Sequence, residues 1–147
     1  MVVDDMRIGR LQGWLAPLML VMVIVSTGCV SLCENTGINQ YLSPEGKWKA
    51  IVFRRNCGAL SWWTTEVSIV SASDGVPKGD IGNVATVMDN RESGSFVSNS
   101  AGVIELRIRW LSDRTILVSA PRKALLWRKA DHVGLFQRVE IQYSSYD

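Results

Sequence analysis

Between residues 103 and 110 the chain alternates strictly: Ile104, Leu106, Ile108 and Trp110 are apolar, while Glu105, Arg107 and Arg109 are charged. A period of two puts one set on a buried face and the other in water, so the pattern predicts a half-buried β-strand. A second apolar run, 115–120, follows Leu111-Ser112-Asp113-Arg114. Ser and Asp side chains bond nearby backbone and favour turns, so the two runs predict a hairpin, ended by Pro121, which has no N–H for a ladder. Upstream, 47–55 carries Trp48, Ala50 and Val52 on one side and Ile51 on the other, which predicts a strand covered on both faces. It follows a turn at Ser43-Pro44-Glu45-Gly46. Residues 65–71, with Val67 and Ile69 on one side, predict another strand before a turn at Asp74-Gly75, and 84–88 a shorter one. Residues 91–102 are rich in Ser and Gly and read as a surface loop. Residues 122–130 fit a short helix or a strand equally well, and Val139, Ile141 and Tyr143 alternate with polar neighbours to give a last strand. Trp48, Trp110 and Trp127 are assigned to the core.

The N-terminus is of another kind. Arg7 and Arg10 precede an uncharged, mostly apolar stretch over 11–25, and Ser26-Thr27-Gly28 places small residues just ahead of Cys29. That order resembles a bacterial lipoprotein signal peptide, which implies cleavage before Cys29 and a diacylglycerol on its thiol. Ser26 departs from the pattern, since such signals usually carry an aliphatic residue three positions before the cysteine. The competing reading is an uncleaved hydrophobic helix, because the uncharged run over 11–33 is long enough to span a bilayer. In both, Arg7 and Arg10 hold the N-terminus on the cytoplasmic side and place the rest outside. The organisation expected is therefore a signal or anchor over 1–28 and an exported domain over 29–147. That domain is all-β, a single small antiparallel unit of meander or sandwich type.

Charge adds an exclusion. With 16 basic and 14 acidic residues the net charge is +2, and removing Arg7 and Arg10 together with Asp4 and Asp5 leaves that balance unchanged. A near-neutral domain with scattered basic pairs gives no electrostatic case for nucleic acid. The cysteine count bears on compartment. If Cys29 carries lipid, Cys33 and Cys57 remain, and outside the cytoplasm such a pair is most simply a disulfide. The alternative is a reactive thiol at Cys57, its pKa lowered by Arg54 and Arg55.

Several ordered blocks resemble a family of small exported bacterial proteins of unassigned function. They are Ser43-Pro44-Glu45-Gly46-Lys47, then Val52-Phe53-Arg54-Arg55-Asn56-Cys57-Gly58-Ala59, Thr65-Glu66-Val67-Ser68-Ile69, Gly82-Asn83-Val84 and the run from Arg109-Trp110-Leu111 through Asp113-Arg114-Thr115. The resemblance covers most of the chain after Cys29. It implies a compact β domain with a disulfide from the Cys57 block to an upstream cysteine, and it implies no activity. The chain departs from the family at Leu60-Ser61-Trp62-Trp63, where smaller polar residues are usual.

Candidate chemistry is sparse. His132 is the sole histidine. Asp131 beside it would point to the opposite face of a strand and so would not orient the imidazole as a catalytic triad requires. No Gly-rich phosphate loop, metal-ligand set or cofactor motif stands out. Trp62 and Trp63 are the residues with a binding character, because an exposed tryptophan anchors a protein, a sugar ring or a membrane interface. The opposing reading covers both beneath the Ser-rich loop. The expected role is a membrane-anchored envelope component that binds or supports, without catalysis or cofactor, held by lipid or helix and with an envelope protein as candidate partner. The alternatives are an inhibitor or immunity-type binder of an exported enzyme and a small envelope hydrolase.

Overall fold

Two β-sheets face each other across one apolar core. The computed structural model describes residues 33–59 and 61–147, and Cys29 with the rest of the N-terminal segment lies outside the described residues. Among the described residues there are nine strands and no helix: β1 (Glu34–Leu42), β2 (Trp48–Asn56), β3 (Thr64–Ser71), β4 (Ala85–Asp89), β5 (Arg107–Ser112), β6 (Thr115–Pro121), β7 (Ala124–Lys129), β8 (His132–Val133) and β9 (Val139–Tyr146). One sheet has the order β1-β2-β3-β4-β7 and the other β5-β6-β9-β8. All pairings are antiparallel except that of β6 with β9, which run parallel. The fold class is therefore all-β, as the alternation implies, with one parallel pair that no local pattern signals.

The core is the meeting of two alternating faces. Ala50, Val52, Val67, Ile69, Ala85 and Val87 come from the larger sheet, and Ile116, Val118, Ala120, Val139 and Ile141 from the smaller. Buried apolar area of this kind is the main favourable term in folding. Two aromatic side chains tie the sheets together through hydrogen bonds. The Trp110 indole N–H donates to the Tyr41 carbonyl at 2.9 Å, and the Tyr143 hydroxyl sits 3.0 and 2.8 Å from the carbonyls of Val84 and Ala130. Burial pushes the Tyr143 phenol up to about 12, with the Asp131 carboxylate acting in the same direction.

Strand β2 is covered on both faces, as its run of four buried residues from Ala50 to Phe53 requires. Ile51 and Phe53 are buried outside the core cluster, beside Ser68 and Glu66 of β3, and the segment 72–83 is tied to β1, the Asn35 side chain donating to the carbonyls of Pro77 and Asp80. Glu66 fastens that segment: it accepts from Gly82 N–H at 3.1 Å, from the Thr86 hydroxyl at 2.7 Å and from the Thr64 hydroxyl at 2.6 Å. Gly82 is needed there, since a Cβ would lie 2.6 Å from the Val67 carbonyl oxygen and 2.9 Å from the Glu66 carboxylate. Asn83 then borrows the pairing of a strand, its side chain accepting from Ile69 N–H and donating to Ile69 C=O, both at 2.8 Å.

Several expectations are corrected. The strand expected over 103–110 begins at Arg107, because the Ile104 N–H donates to the side-chain hydroxyl of Thr65 in β3 at 2.9 Å instead of to a backbone carbonyl in a strand ladder. The turn expected at Asp74-Gly75 lies two residues upstream, centred on Ala72-Ser73 and closed by Asp74 N–H on the Ser71 carbonyl. Of the two readings left open over 122–130, the strand is the one found, over Ala124–Lys129. Trp127 is not core: it is 64 % exposed, being the extra residue of a bulge where Thr86 pairs with Arg128 and Val87 with Leu126.

Candidate functional site

The register brings five strand ends together. Glu34 pairs with Asn56, Arg55 with Thr64, Thr65 with Val87 and Asp89 with Ala124, so the start of β1 and of β3 and the finish of β2 and of β4 lie at one end of the larger sheet, with the start of β7. Four interstrand spacings make that end about 19 Å wide. Cys33, Cys57, Trp62, Trp63 and Arg91 all belong to loops or strand extensions there.

Cys33 and Cys57 form a disulfide with a sequence separation of 24. That removes the reactive-thiol reading of Cys57. The Arg55 Nε lies 3.3 Å from the bonded Cys57 sulfur, and Cys57 N–H donates to the Ser61 hydroxyl at 3.1 Å. The loop leading to the tryptophans is thus fastened at its root.

Trp62 and Trp63 precede β3, and neither joins the core. Trp62 is 62 % exposed and Trp63 45 %. The Arg91 guanidinium stands 3.6 Å from the Trp62 ring centroid and 5.5 Å from that of Phe96, itself 64 % exposed. Trp63 is backed by Gly102 and by Arg54, whose guanidinium lies 5.2 Å from its ring and donates to the Ala101 carbonyl at 3.0 Å. The Ser-rich loop therefore supports the tryptophans from the side without covering them.

Asp89 sets the position of that loop. It accepts from Val97 N–H at 2.7 Å, Ser98 N–H at 2.9 Å and the Ser98 hydroxyl at 2.6 Å. Burial works against its charge, but these hydrogen bonds and nearby Arg91 outweigh it and hold the carboxyl below the usual carboxylate range. Two shallow grooves flank the tryptophans. One of about 190 Å³ runs along Met88, Asn90, Glu92 and Leu125, and one of about 260 Å³ along Ser61, Ser98 and Gly102, both sharing Trp62, Trp63, Asp89 and Arg91. Each is smaller than the roughly 300 Å³ at which small-molecule sites begin, so they suit a side chain or a single ring.

His132 is exposed in β8 opposite Glu140, remote in the sheet order from the tryptophan loop. Among the described residues no three His, Cys, Asp or Glu side chains cluster as metal ligands. Sequence reasoning singled out Trp62 and Trp63 but missed Arg91 and Phe96, whose one signal was an Arg and a Phe inside a polar loop. It also missed Leu135 and Phe136, which stand 94 % and 97 % exposed in the β8–β9 loop. That loop is at the opposite end of the domain: Gln137 lines a hollow with Glu45, Lys47 and Asp113, and Glu45 N–H donates to Asp113 at 2.8 Å. No family model, curated protein or solved structure matches this chain.

Proposed function

We propose that this chain is a membrane-anchored protein of the bacterial cell envelope, held through Cys29 and acting by contact and not by catalysis. The observation that carries the contact role is Trp62, a large aromatic left open to solvent yet held by Arg91 at a disulfide-fastened end of the domain. A rigid aromatic loses little entropy when it is covered, which makes such a residue an efficient anchor. The disulfide supports export, since these bonds persist in oxidising compartments. The apolar stretch over 11–25 and the small residues before Cys29 support the anchor.

Intact mass spectrometry of the protein isolated from membranes tests the anchor. The expected species begins at Cys29 and carries a diacylglycerol. A species that begins near Met1 would replace lipid with an uncleaved helix, and recovery of the chain in the soluble fraction would overturn anchoring altogether.

A further inference from the structure

We propose that the tryptophan end of the domain docks onto the lipid headgroup layer of the membrane to which the chain is anchored. The proposal rests on the anchoring read above and names the surface that Trp62, Trp63 and Phe96 contact. Its first support is covalent reach. Cys33 follows Cys29 by four residues, and a fully extended chain of that length spans at most about 14 Å. Cys33 is bonded to Cys57, and Cys57 is hydrogen-bonded to the segment that carries the tryptophans. Whatever path residues 30–32 take, the end of the sheet that bears Trp62 is the end kept near the lipid.

The chemistry of that end fits the interface. Tryptophan pairs an apolar ring with an N–H donor and concentrates at headgroup depth. Phe96 adds an apolar edge, and Arg91 presents a guanidinium suited to phosphate oxygens. The same end carries Glu34, Asp89 and Glu92 against Arg54, Arg55, Arg91 and Lys123, while Arg122 is paired with Asp147 at 2.9 Å, so its charges nearly balance and it is not a polybasic patch of the kind that needs anionic lipid. Docking is accordingly expected on zwitterionic bilayers. Each aromatic contact is weak, but a short tether holds it at high effective concentration.

The rival apolar feature, Leu135-Phe136, is more exposed but lies at the far end. The nine residues of β2 separate the two ends by on the order of 27 Å. That distance exceeds the tether.

The matched phenylalanines give the test. The full chain is made with Phe96→p-benzoylphenylalanine or with Phe136→p-benzoylphenylalanine, reconstituted into phosphatidylcholine vesicles, irradiated and analysed by mass spectrometry. Both changes replace one exposed aromatic with another, and both tryptophans stay in place. A phospholipid adduct at position 96 and none at 136 is the expected result. If the chain sediments with the vesicles but position 96 gives no lipid adduct, docking is wrong, anchoring stands, and the tryptophan face is open to a protein partner. Equal adducts at both positions would overturn the assignment of one end to the membrane. A chain that does not sediment with the vesicles would overturn anchoring and docking together.

Discussion

The guanidinium of Arg91 lies 3.6 Å from the centroid of the Trp62 ring, joining the loop after β4 to the segment that leads into β3. Each group limits the motion of the other, and the ring is left with an open side. An exposed cation–π contact contributes about 0.5–1 kcal/mol, enough to bias a rotamer and too little to hold a fold.

Trp62→Ala is therefore expected to cost no more than about 1 kcal/mol of stability. Phe53→Ala, which empties a fully buried site behind β2, should cost about 3–5 kcal/mol. Urea unfolding of the two variants checks the contrast. A loss at Trp62 equal to that at Phe53 would mean that Trp62 is packing and not surface.

Loss of the disulfide should act on the unfolded chain. Closing a loop with the separation of Cys33 and Cys57 removes about 3.5 kcal/mol of chain entropy in the usual treatment. Cys33→Ser and Cys57→Ser are expected to destabilise equally and by that order, read from denaturant midpoints under non-reducing conditions.

These relationships were legible in the sequence to different depths. The alternation through Ile116, Val118 and Ala120, and through Val139 and Ile141, marks the core face directly because these residues are buried while their neighbours in the strand are half-buried or exposed. β1 escaped notice because most of it is exposed: it is an edge strand held by backbone pairing to β2 and by the disulfide, and neither leaves a hydrophobic period. Trp127 misled because hydrophobicity does not encode a bulge. At the site, Trp62 and Trp63 were visible as residue types, whereas Arg91 and Phe96 come to them only through the register of β3 with β4 and the Asp89 clamp on the following loop. Contacts between residues far apart in sequence have no local signature.

Gly102 supplies a sharper test of the support beneath Trp63. Its φ is +70°, and an added Cβ would fall within the Trp63 ring. Gly102→Ala should displace the indole and cost about 1–3 kcal/mol from backbone strain alone. Combined with Trp63→Ala, the substitution should cost less than the sum of the single changes, because the clash is then gone.

Acid should release the loop that Arg91 and Phe96 occupy. The Asp89 carboxyl is held below its ordinary value, so it contributes fully above the unfolded value of about 3.9 and loses that contribution as pH falls through the lowered folded value. Amide exchange at Val97 and Ser98, corrected for intrinsic pH dependence, should accelerate in that window. Asp89→Asn should accelerate it at neutral pH and remove the dependence.

The central claim is that the end of the domain bearing Trp62, Trp63, Arg91 and Phe96 is covered when the protein is in its own membrane. Hydrogen–deuterium exchange of the full chain in native envelope membrane, against the same chain in detergent solution, tests this most directly. Slower exchange over residues 61–63 and 91–97 in the membrane, with residues 134–138 unchanged, is the predicted result. Unchanged exchange at the tryptophan end, or protection confined to 134–138, would contradict the account.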